Sequence, residues 1–199
     1  MPELPEVEVS RLGVAPFLEG QIIRNIIVRD RRLRWPVPES LADAIGQQVT
    51  AVNRRAKYLL IELAGGGRII LHLGMSGKLR VLDANVAPVK HDHIDIVLDS
   101  GKCLRLNDPR RFGACLWQAP GEPAPQLLAH LGPEPLTTDF DAERLVTLSR
   151  NKQVAVKNFI MVTLTLERSP DETGLGNGNG SRGCVELSPR IKQGCQCYF

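Results

Sequence analysis

The sequence predicts an α+β protein in which an N-terminal helix and an antiparallel β-sandwich precede further helices. Residues 3–19 have a helical pattern of apolar and acidic side chains. Short β-branched segments separated by tight turns fill most of residues 21–117. A proline-rich stretch at 119–138 then leads into more helical patterns. Many short strands with tight turns are typical of a sandwich or a flattened barrel.

Composition restricts the classes of protein to which the chain can belong. Of its 199 residues, 43% are hydrophobic and 24% are charged, which indicates a globular protein rather than a disordered one. No apolar run reaches the roughly 18 residues that a membrane span requires. The N-terminus lacks a basic start followed by an apolar core, so we expect no secretory signal. The five cysteines include no Cys-x-x-Cys pair, and a reducing cytoplasm is the default interpretation.

The first predicted helix covers residues 3–19. Pro5 suits a first-turn position, and acidic residues near it favour the positive end of the helix dipole. Gly20 follows the last turn, which Pro16 weakens. The residues expected to form its buried face are Val7, Leu12, Val14, Phe17 and Leu18.

The sandwich is predicted from eight short strand patterns and one short helix at 39–45. Ala64-Gly65-Gly66-Gly67 and Ser100-Gly101 are typical turn sequences between strands. The segment 93–98 alternates apolar and polar residues, and Cys103 and Cys115 are expected to be buried thiols. The predicted strands are 21–29, 49–54, 58–63, 68–73, 78–82, 93–98, 102–106 and 114–117.

The remainder of the chain is predicted to be organised differently. Helical patterns occur at 126–131, 139–148 and 151–161, so we expect domains at 1–120 and 121–161. The last 38 residues contain six glycines and three cysteines and have no amphipathic period. Loop or disorder is therefore the expectation for 162–199.

Basic residues form four clusters along the chain. Each cluster alone is more typical of a solvated face, but four of them favour one surface that follows phosphates, as a polyanionic partner requires. The formal net charge of +3 agrees with this interpretation without proving it. The clusters are Arg24 to Arg34, Arg54 to Lys57, Arg110-Arg111, and Arg150 to Lys157.

The N-terminus offers a candidate nucleophile. Removal of the initiator methionine before Pro2 would leave a secondary amine, and an α-amino group titrates at about 7.7–8.0 in model peptides. Such an amine can attack a sugar C1′ and form an iminium ion, with Glu3 beside it as a proton shuttle. By themselves, these residues are much more typical of a simple helix start.

Several motifs together resemble the bacterial formamidopyrimidine-DNA glycosylase family. They occur in that family's order and spacing from residue 1 to about residue 161. Leu4, between Glu3 and Pro5, makes the opening more similar to this family than to endonuclease VIII. The motifs are Met1-Pro2-Glu3-Leu4-Pro5-Glu6, Arg31 to Pro36, Arg54 to Leu60, His72 to Gly77, Lys90 to His93, Asp108 to Gly113, and Leu131 to Leu136.

The resemblance implies a DNA repair enzyme with two activities. It would excise 8-oxoguanine and formamidopyrimidines from duplex DNA, then cut the abasic site by β,δ-elimination. Pro2 would be the Schiff-base nucleophile and Glu3 the general acid and base. Glu6 would support the same pocket, and Lys57 would contact the phosphate and assist proton transfer.

The resemblance also implies DNA-binding residues. Met75, Arg110 and Phe112 would fill the void that a flipped base leaves, since wedge side chains stabilise kinked and unstacked DNA. His91 and Arg110 would contact the DNA backbone. Lys152 and Lys157 would meet phosphates at the start of a helix–two-turn–helix domain.

The chain departs from the family pattern after Met161. The family's helix–two-turn–helix continuation and four-cysteine zinc finger have no counterpart, which favours a frameshift or misjoined reading frame. Cys184, Cys195 and Cys197 are too few for a structural zinc, and the chemistry requires no cofactor. We therefore predict no metal site, with zinc expected only in longer relatives.

Two alternatives to the glycosylase remain open: a catalytically dead truncation product, and a non-catalytic DNA-binding module. The expected partner of the leading interpretation is double-stranded DNA with oxidised purines or abasic sites. The resemblance also implies a monomer without membrane association, located in the bacterial cytoplasm at the nucleoid.

Overall fold

The computed structural model describes residues 3–129, 131–132, 134, 141–156 and 159. The chain divides into two compact units after Ala129. The predicted segment 162–199 lies outside the described residues, and the domain limits at residues 120 and 161 stay predictions. No helix among the described residues is long and apolar enough to cross a bilayer.

Helix α1 (Leu4–Leu18) belongs to the first unit and packs one face against its strands. Val7, Val14 and Leu18 are buried as predicted, but Leu12 and Phe17 are 57% and 46% exposed, so the prediction for these two was wrong. A helix advances about 100° per residue, which places Leu12 roughly 140° from Val7 around the axis. Leu12 therefore points away from the sheets, while Ala15 takes a buried position.

Two four-stranded antiparallel sheets form the predicted sandwich, and the α+β class is confirmed. One sheet has the order β1-β6-β7-β5, and the other has the order β2-β3-β4-β8. Leucine, isoleucine and valine side chains from both sheets and from α1 fill the core between them. The strands are β1 (Ile23–Val28), β2 (Val49–Arg55), β3 (Tyr58–Leu63), β4 (Arg68–His72), β5 (Lys78–Asp83), β6 (Asp92–Leu98), β7 (Lys102–Asn107) and β8 (Ala114–Gln118).

Short helices and buried thiols complete the first unit. The segment predicted as a helix at 39–45 is a 3-10 helix at Glu39–Ala44. A single helical turn, α2 (Gln126–Ala129), ends the unit. Cys103 and Cys115 are buried and unpaired, as predicted, and burial raises the pKa of the Cys115 thiol to about 12.

The outer face of the β1-β6-β7-β5 sheet is covered rather than solvated. Strand β6 is buried at nearly every position, so its alternation does not mark one exposed face. Arg105 of β7 is 1% exposed and donates to Asp95 from Nε and Nη2, both at 2.8 Å. The same guanidinium donates to the carbonyls of Val86 and Ala87 at 2.9 and 3.3 Å. These bonds hold the segment 84–91 against the sheet.

The second unit contains helix α3 (Ala142–Ser149). Asp141 caps this helix, because its side chain accepts from the Arg144 amide at 2.7 Å. The predicted helix 151–161 was wrong at its start, since residues 151–155 are not helical. Asn151 has a positive φ of 59°, which interrupts the helical path directly after Arg150.

Candidate functional site

Strand register places several predicted site residues at one end of the sandwich. Tyr58 lies opposite His72, and His72 lies opposite Ala114, so the segments that flank these positions share one sheet edge. In the other sheet, Asn107 lies opposite both Lys78 and Asp92. We call the segments 56–57, 73–77, 90–91 and 108–113 the loop end. The turns 64–67 and 99–101 lie at the opposite ends of the strands and form the hairpin end.

Glu3 and Lys57 form an ion pair at the loop end. The Lys57 Nζ lies 2.6 Å from the Glu3 Oε2, although 54 positions separate them in sequence. The hydrogen bond from Lys57 lowers the pKa of the Glu3 carboxyl and so favours its ionised form further. Both side chains remain partly exposed, at 55% for Glu3 and 28% for Lys57. Pro2, the predicted nucleophile, directly precedes Glu3 and lies outside the described residues.

Neighbouring acidic and basic residues position this pair. The Glu6 carboxylate accepts from the Glu3 amide at 3.0 Å, which fixes the backbone where α1 begins. Glu8 accepts from Arg54 Nε at 2.9 Å, and Arg54 Nη1 donates to the Ala56 carbonyl at 3.0 Å. The Glu8–Arg54 contact thus ties α1 to the turn that carries Lys57.

Sequence reasoning missed the role of Glu8 and Arg54. It assigned Arg54 to a phosphate-following cluster, whereas its side chain is 15% exposed and ion-paired. Spacing along the chain gave no signal, because the two partners are 46 residues apart.

Met75, Arg110 and Phe112 extend from two adjacent loops of the loop end. Met75 is 43% exposed and Phe112 is 42% exposed, so neither side chain belongs to the core. The Arg110 guanidinium lies over the Phe112 ring, 5.0 Å from its centroid. These exposures agree with the prediction that Met75 and Phe112 are not core residues.

The backbones of the 73–77 and 108–113 loops are in direct contact. A Cβ at Gly74 would overlap the Phe112 backbone and approach the Gly113 nitrogen within 2.6 Å, and Gly74 has a φ of +60°. Glycine is therefore required at this position by both space and conformation.

Asp108 joins these loops and was quoted only as part of a motif by sequence reasoning. Its side chain is fully buried. One carboxylate oxygen accepts from the Ser76 hydroxyl at 2.6 Å, and the other accepts from the Gly113 amide at 2.8 Å. A buried carboxylate with several donors is typical of a fixed polar network.

His72 adds a neutral imidazole to the loop end. Its Nδ1 accepts from the Gly74 amide at 3.1 Å, and its ring lies 4.9 Å from the Tyr58 ring. Burial lowers the pKa of His72, and the positive charges of Arg34 and Lys57 lower it further. Sequence reasoning did not single out this residue, since its burial depends on strand pairing.

His91 has a left-handed backbone conformation. Its φ is +73°, and it follows the segment that Arg105 holds on the outer face of the sheet. The Val89 amide donates to the Asp92 carboxylate at 2.8 Å, which fixes the approach to His91 from that segment. The His91 ring is half-buried and lies 6.3 Å from the His93 ring.

Several arginines of the predicted basic clusters are neutralised within the chain. Arg29 pairs with Asp95 at 2.6 Å, while Arg32 and Arg111 pair with Asp30 at 2.9 and 2.8 Å. Hydrogen bonds from Arg32 hold the pKa of the Asp30 carboxyl well below its usual range. The four clusters are therefore not one uninterrupted cationic surface.

The remaining predicted binding residues belong to the second unit. Lys152 is exposed shortly after α3, and Lys157 lies outside the described residues. Among the described residues, no group of three or more histidine, cysteine, aspartate or glutamate side chains has the arrangement of a metal site.

The sequence matches the family model described as the formamidopyrimidine-DNA glycosylase N-terminal domain over residues 1–115. A formamidopyrimidine-DNA glycosylase of Alteromonas mediterranea is 67% identical over 161 residues, which are 81% of this chain and 59% of the relative. The corresponding enzyme of Vibrio cholerae is 57% identical over the same share of each chain. The chain thus spans about three fifths of the length of these relatives.

Solved structures show the same similarity. Lactococcus lactis formamidopyrimidine-DNA glycosylase, non-covalently bound to DNA with an abasic site, gives a TM-score of 0.73 at 30% identity. That match covers 84% of this chain and 65% of the other. The MutM (Fpg) protein of Thermus thermophilus gives 0.68 at 33% identity, over 84% of this chain and 60% of the other.

Proposed function

The chain belongs to the formamidopyrimidine-DNA glycosylase family, and we propose that it excises oxidised purines from duplex DNA and nicks the abasic site. The observation that carries this proposal is the Glu3–Lys57 ion pair at the loop end. Glu3 directly follows Pro2 in the chain, so this pair lies next to the proposed nucleophile. The proposed substrates are 8-oxoguanine and formamidopyrimidines in double-stranded DNA. Cleavage of the strand would proceed by β,δ-elimination.

The exposed side chains of the loop end suit the DNA-distorting step. A base inside a duplex must be flipped out before its sugar is accessible, at a cost of a few kcal/mol. Met75 and Phe112 offer apolar surface to the vacated stack, and Arg110 offers hydrogen-bond donors next to the ring. In this proposal, His91 contacts the DNA backbone beside them.

The proposed chemistry begins with the ionised Glu3. Its carboxylate takes the proton of the Pro2 ammonium group, which frees the amine for attack on the sugar C1′. The nitrogen–carbon bond forms as the glycosidic bond breaks, and the departing base takes the second proton of the Pro2 nitrogen. The sugar ring then opens to an iminium ion, and its ring oxygen receives the proton held by Glu3. The Glu3 carboxylate, free again, takes a C2′ proton from the iminium ion, which eliminates the 3′ phosphate, and the δ-elimination then expels the 5′ phosphate.

Lys57 has two roles in this scheme. Its ammonium group keeps Glu3 ionised before the attack, because it donates to the carboxylate at 2.6 Å. It also offers a positive charge to a phosphate of the DNA once the pair opens. Glu6 acts indirectly, since it holds the backbone of Glu3.

The proposal includes the setting in which the chain works. We propose that the chain acts as a monomer in the bacterial cytoplasm at the nucleoid, where its proposed substrate, double-stranded DNA, is located. The amine and carboxylate chemistry requires no cofactor. Three cysteines without a histidine in the last 38 residues do not fit a structural zinc site.

Borohydride trapping of the full chain on a duplex with one abasic site tests the proposal. Reduction of the iminium ion gives a stable protein–DNA adduct that migrates slowly on a denaturing gel. The matched control is the same chain with a short uncleaved N-terminal extension, in which the Pro2 nitrogen belongs to a peptide bond. We expect an adduct with the free N-terminus and none with the extension.

The other outcomes separate the alternatives. Absence of an adduct with the free N-terminus contradicts the enzymatic proposal. Salt-dependent binding to undamaged duplex DNA would then favour a non-catalytic binding module, and its absence would favour a dead truncation product. An adduct with both chains would contradict the assignment of Pro2.

A further inference from the structure

We infer that Asp108 and Ser76 act as a positioning pair that aligns the void-filling loops before they enter DNA. This inference rests on the proposed function, because it concerns how the same loop end meets damaged DNA. Neither residue needs to touch the DNA. Both act through the backbone of the loops that carry Met75, Arg110 and Phe112.

The Asp108 carboxylate connects two loops. Its two oxygens divide their contacts, since one accepts from Ser76 in the 73–77 loop and the other from the Gly113 amide. The exposed Met75 directly precedes Ser76, and the exposed Phe112 directly precedes Gly113. A shift of either loop would therefore break a hydrogen bond to a buried charge, which costs more than a neutral one.

Ser76 connects the two loops through a second hydrogen bond, in which its hydroxyl is the acceptor. Its hydroxyl donates to Asp108 and accepts from the Arg110 amide at 3.2 Å. The loop that carries Met75 is thus bonded to Arg110 itself, as well as to the carboxylate. Alanine at position 76 would remove both bonds and leave the fold of the strands intact.

The backbone of Asp108 reaches the third segment of the loop end. Its amide donates to the His91 carbonyl at 3.0 Å. Its carbonyl accepts from His93 Nε2 at 2.8 Å, and this contact is buried. One residue therefore contacts all three segments that carry the proposed DNA-facing side chains.

This arrangement matters because void filling requires several side chains at once. A wedge, a guanidinium and an aromatic ring must enter the same gap, and misplacement of one weakens the contribution of the others. Gly74 and Gly113 flank these loops, and glycine alone offers little conformational restriction. The Asp108–Ser76 pair supplies that restriction through hydrogen bonds.

A purely structural role makes a different prediction from a positioning role. Loss of stability alone would weaken binding to damaged and undamaged DNA by the same factor. Loss of alignment would weaken lesion-specific binding and leave the contacts to phosphates unchanged. The ratio of the two affinities and the salt dependence therefore separate the two roles.

The experiment compares full-length Ser76→Ala, Ser76→Thr and Ser100→Ala with the wild-type chain. Ser100 is exposed in the turn at the hairpin end and serves as the matched control. The probes are one duplex with a tetrahydrofuran abasic-site analogue and the same duplex without it. For Ser76→Ala, we expect about a tenfold loss of preference for the damaged duplex, the size of one hydrogen bond to a charged group. The salt slope should not change.

Three further results are expected. Ser76→Thr keeps the hydroxyl and should restore most of the preference, while Ser100→Ala should match the wild type. In the free protein, the Arg110 amide should exchange faster with solvent in Ser76→Ala, because it loses its acceptor. Equal preference in Ser76→Ala and wild type, or an unchanged Arg110 amide, would overturn the inference while the proposed function stands. No preference for the damaged duplex in the wild type would instead contradict the proposed function itself.

Discussion

The two ends of the sandwich differ in which residues adopt left-handed backbone conformations. At the hairpin end, Gly66 and Gly101 have positive φ angles of 83° and 79°. At the loop end, Gly74 has a φ of +60°, but three residues other than glycine, Ala56, His91 and Arg111, also have positive φ angles of 49°, 73° and 58°. Glycine adopts such angles without steric cost, whereas other L-residues lose about 1–2 kcal/mol each.

This difference indicates what each end is built for. The non-glycine positions of the loop end precede Lys57, coincide with His91, or lie between Arg110 and Phe112. Strained backbone is retained where the surrounding structure over-determines it, and it is concentrated at functional sites. Turns of the hairpin end only reverse the chain direction, so glycine serves there. The left-handed residues of the loop end therefore lower the stability of the fold while they keep side chains in fixed positions.

Of the variants considered, removal of the Arg105 guanidinium should cause the largest loss in the free energy of unfolding. The Arg105→Met variant would leave Asp92 and Asp95, which are 0% and 2% exposed, without their buried partner. Breaking a buried ion pair typically costs about 3–5 kcal/mol. Urea denaturation of the full chain should show a loss of this size in the free energy of unfolding.

Arg80→Met is the matched control for that experiment. Arg80 also pairs with Asp92, at 2.6 Å, but its side chain is 39% exposed. Solvent screening should limit its loss to about 1 kcal/mol. A loss of only about 1 kcal/mol in Arg105→Met as well would show that the covered outer face does not depend on Arg105.

A glycine exchange at each end should give the next largest effect. Gly74→Ala combines a left-handed backbone with overlap against the Phe112 backbone, whereas Gly101→Ala meets no atom within 4 Å. We expect a loss of about 3 kcal/mol for Gly74→Ala, from overpacking and strain together. Gly101→Ala should lose about 1 kcal/mol from strain alone. Equal thermal unfolding midpoints for the two variants would contradict the close contact of the loops.

The strands of the sandwich were predictable because their signals are local. β-branched runs and glycine turns placed β3 at the residues observed, and the other strands within one or two residues of theirs. The helical pattern at 139–148 likewise predicted α3 to within three residues. The Pro2-Glu3 opening and Lys57 came from a resemblance rather than from any spacing rule. The structure brings Glu3 and Lys57 together, and their chemical roles stay predictions.

The errors arose where contacts are distant in sequence. Leu12 and Phe17 are apolar, but whether they are buried depends on how α1 is rotated against the sheets. Arg29 and Arg54 looked like members of cationic clusters because their acidic partners are 66 and 46 residues away. The link from Asp108 to Ser76 spans 32 residues and has no periodic signal. A pattern within one segment cannot report such pairings.

Protonation of His72 at the loop end should lower the stability at acidic pH, by less than the substitutions above. The pKa of His72 is lowered from 6.5, mainly by burial, so the unfolded chain binds its proton more readily than the folded one. The contribution is therefore fully present above about pH 6.5 and is lost as the pH falls through the folded pKa. Unfolding measured between pH 7 and 5 should show decreasing stability, and His72→Asn, which keeps an acceptor for Gly74, should reduce that slope. An unchanged slope in His72→Asn would contradict the assignment.

Relief of strain at Ala56 should have the smallest effect. Ala56→Gly removes a left-handed alanine, which gains about 1 kcal/mol, but glycine loses about 0.5–1 kcal/mol of backbone entropy on folding. The net change should be a gain of a few tenths of a kcal/mol. Ala64→Gly is the matched control at the hairpin end, because Ala64 lies in a turn without a positive φ and gains no relief. It should therefore lose about 0.5–1 kcal/mol in the same urea titration. If the two variants lose equal stability, the backbone at Ala56 is not strained, and the contrast between the ends would then rest on His91 and Arg111 alone.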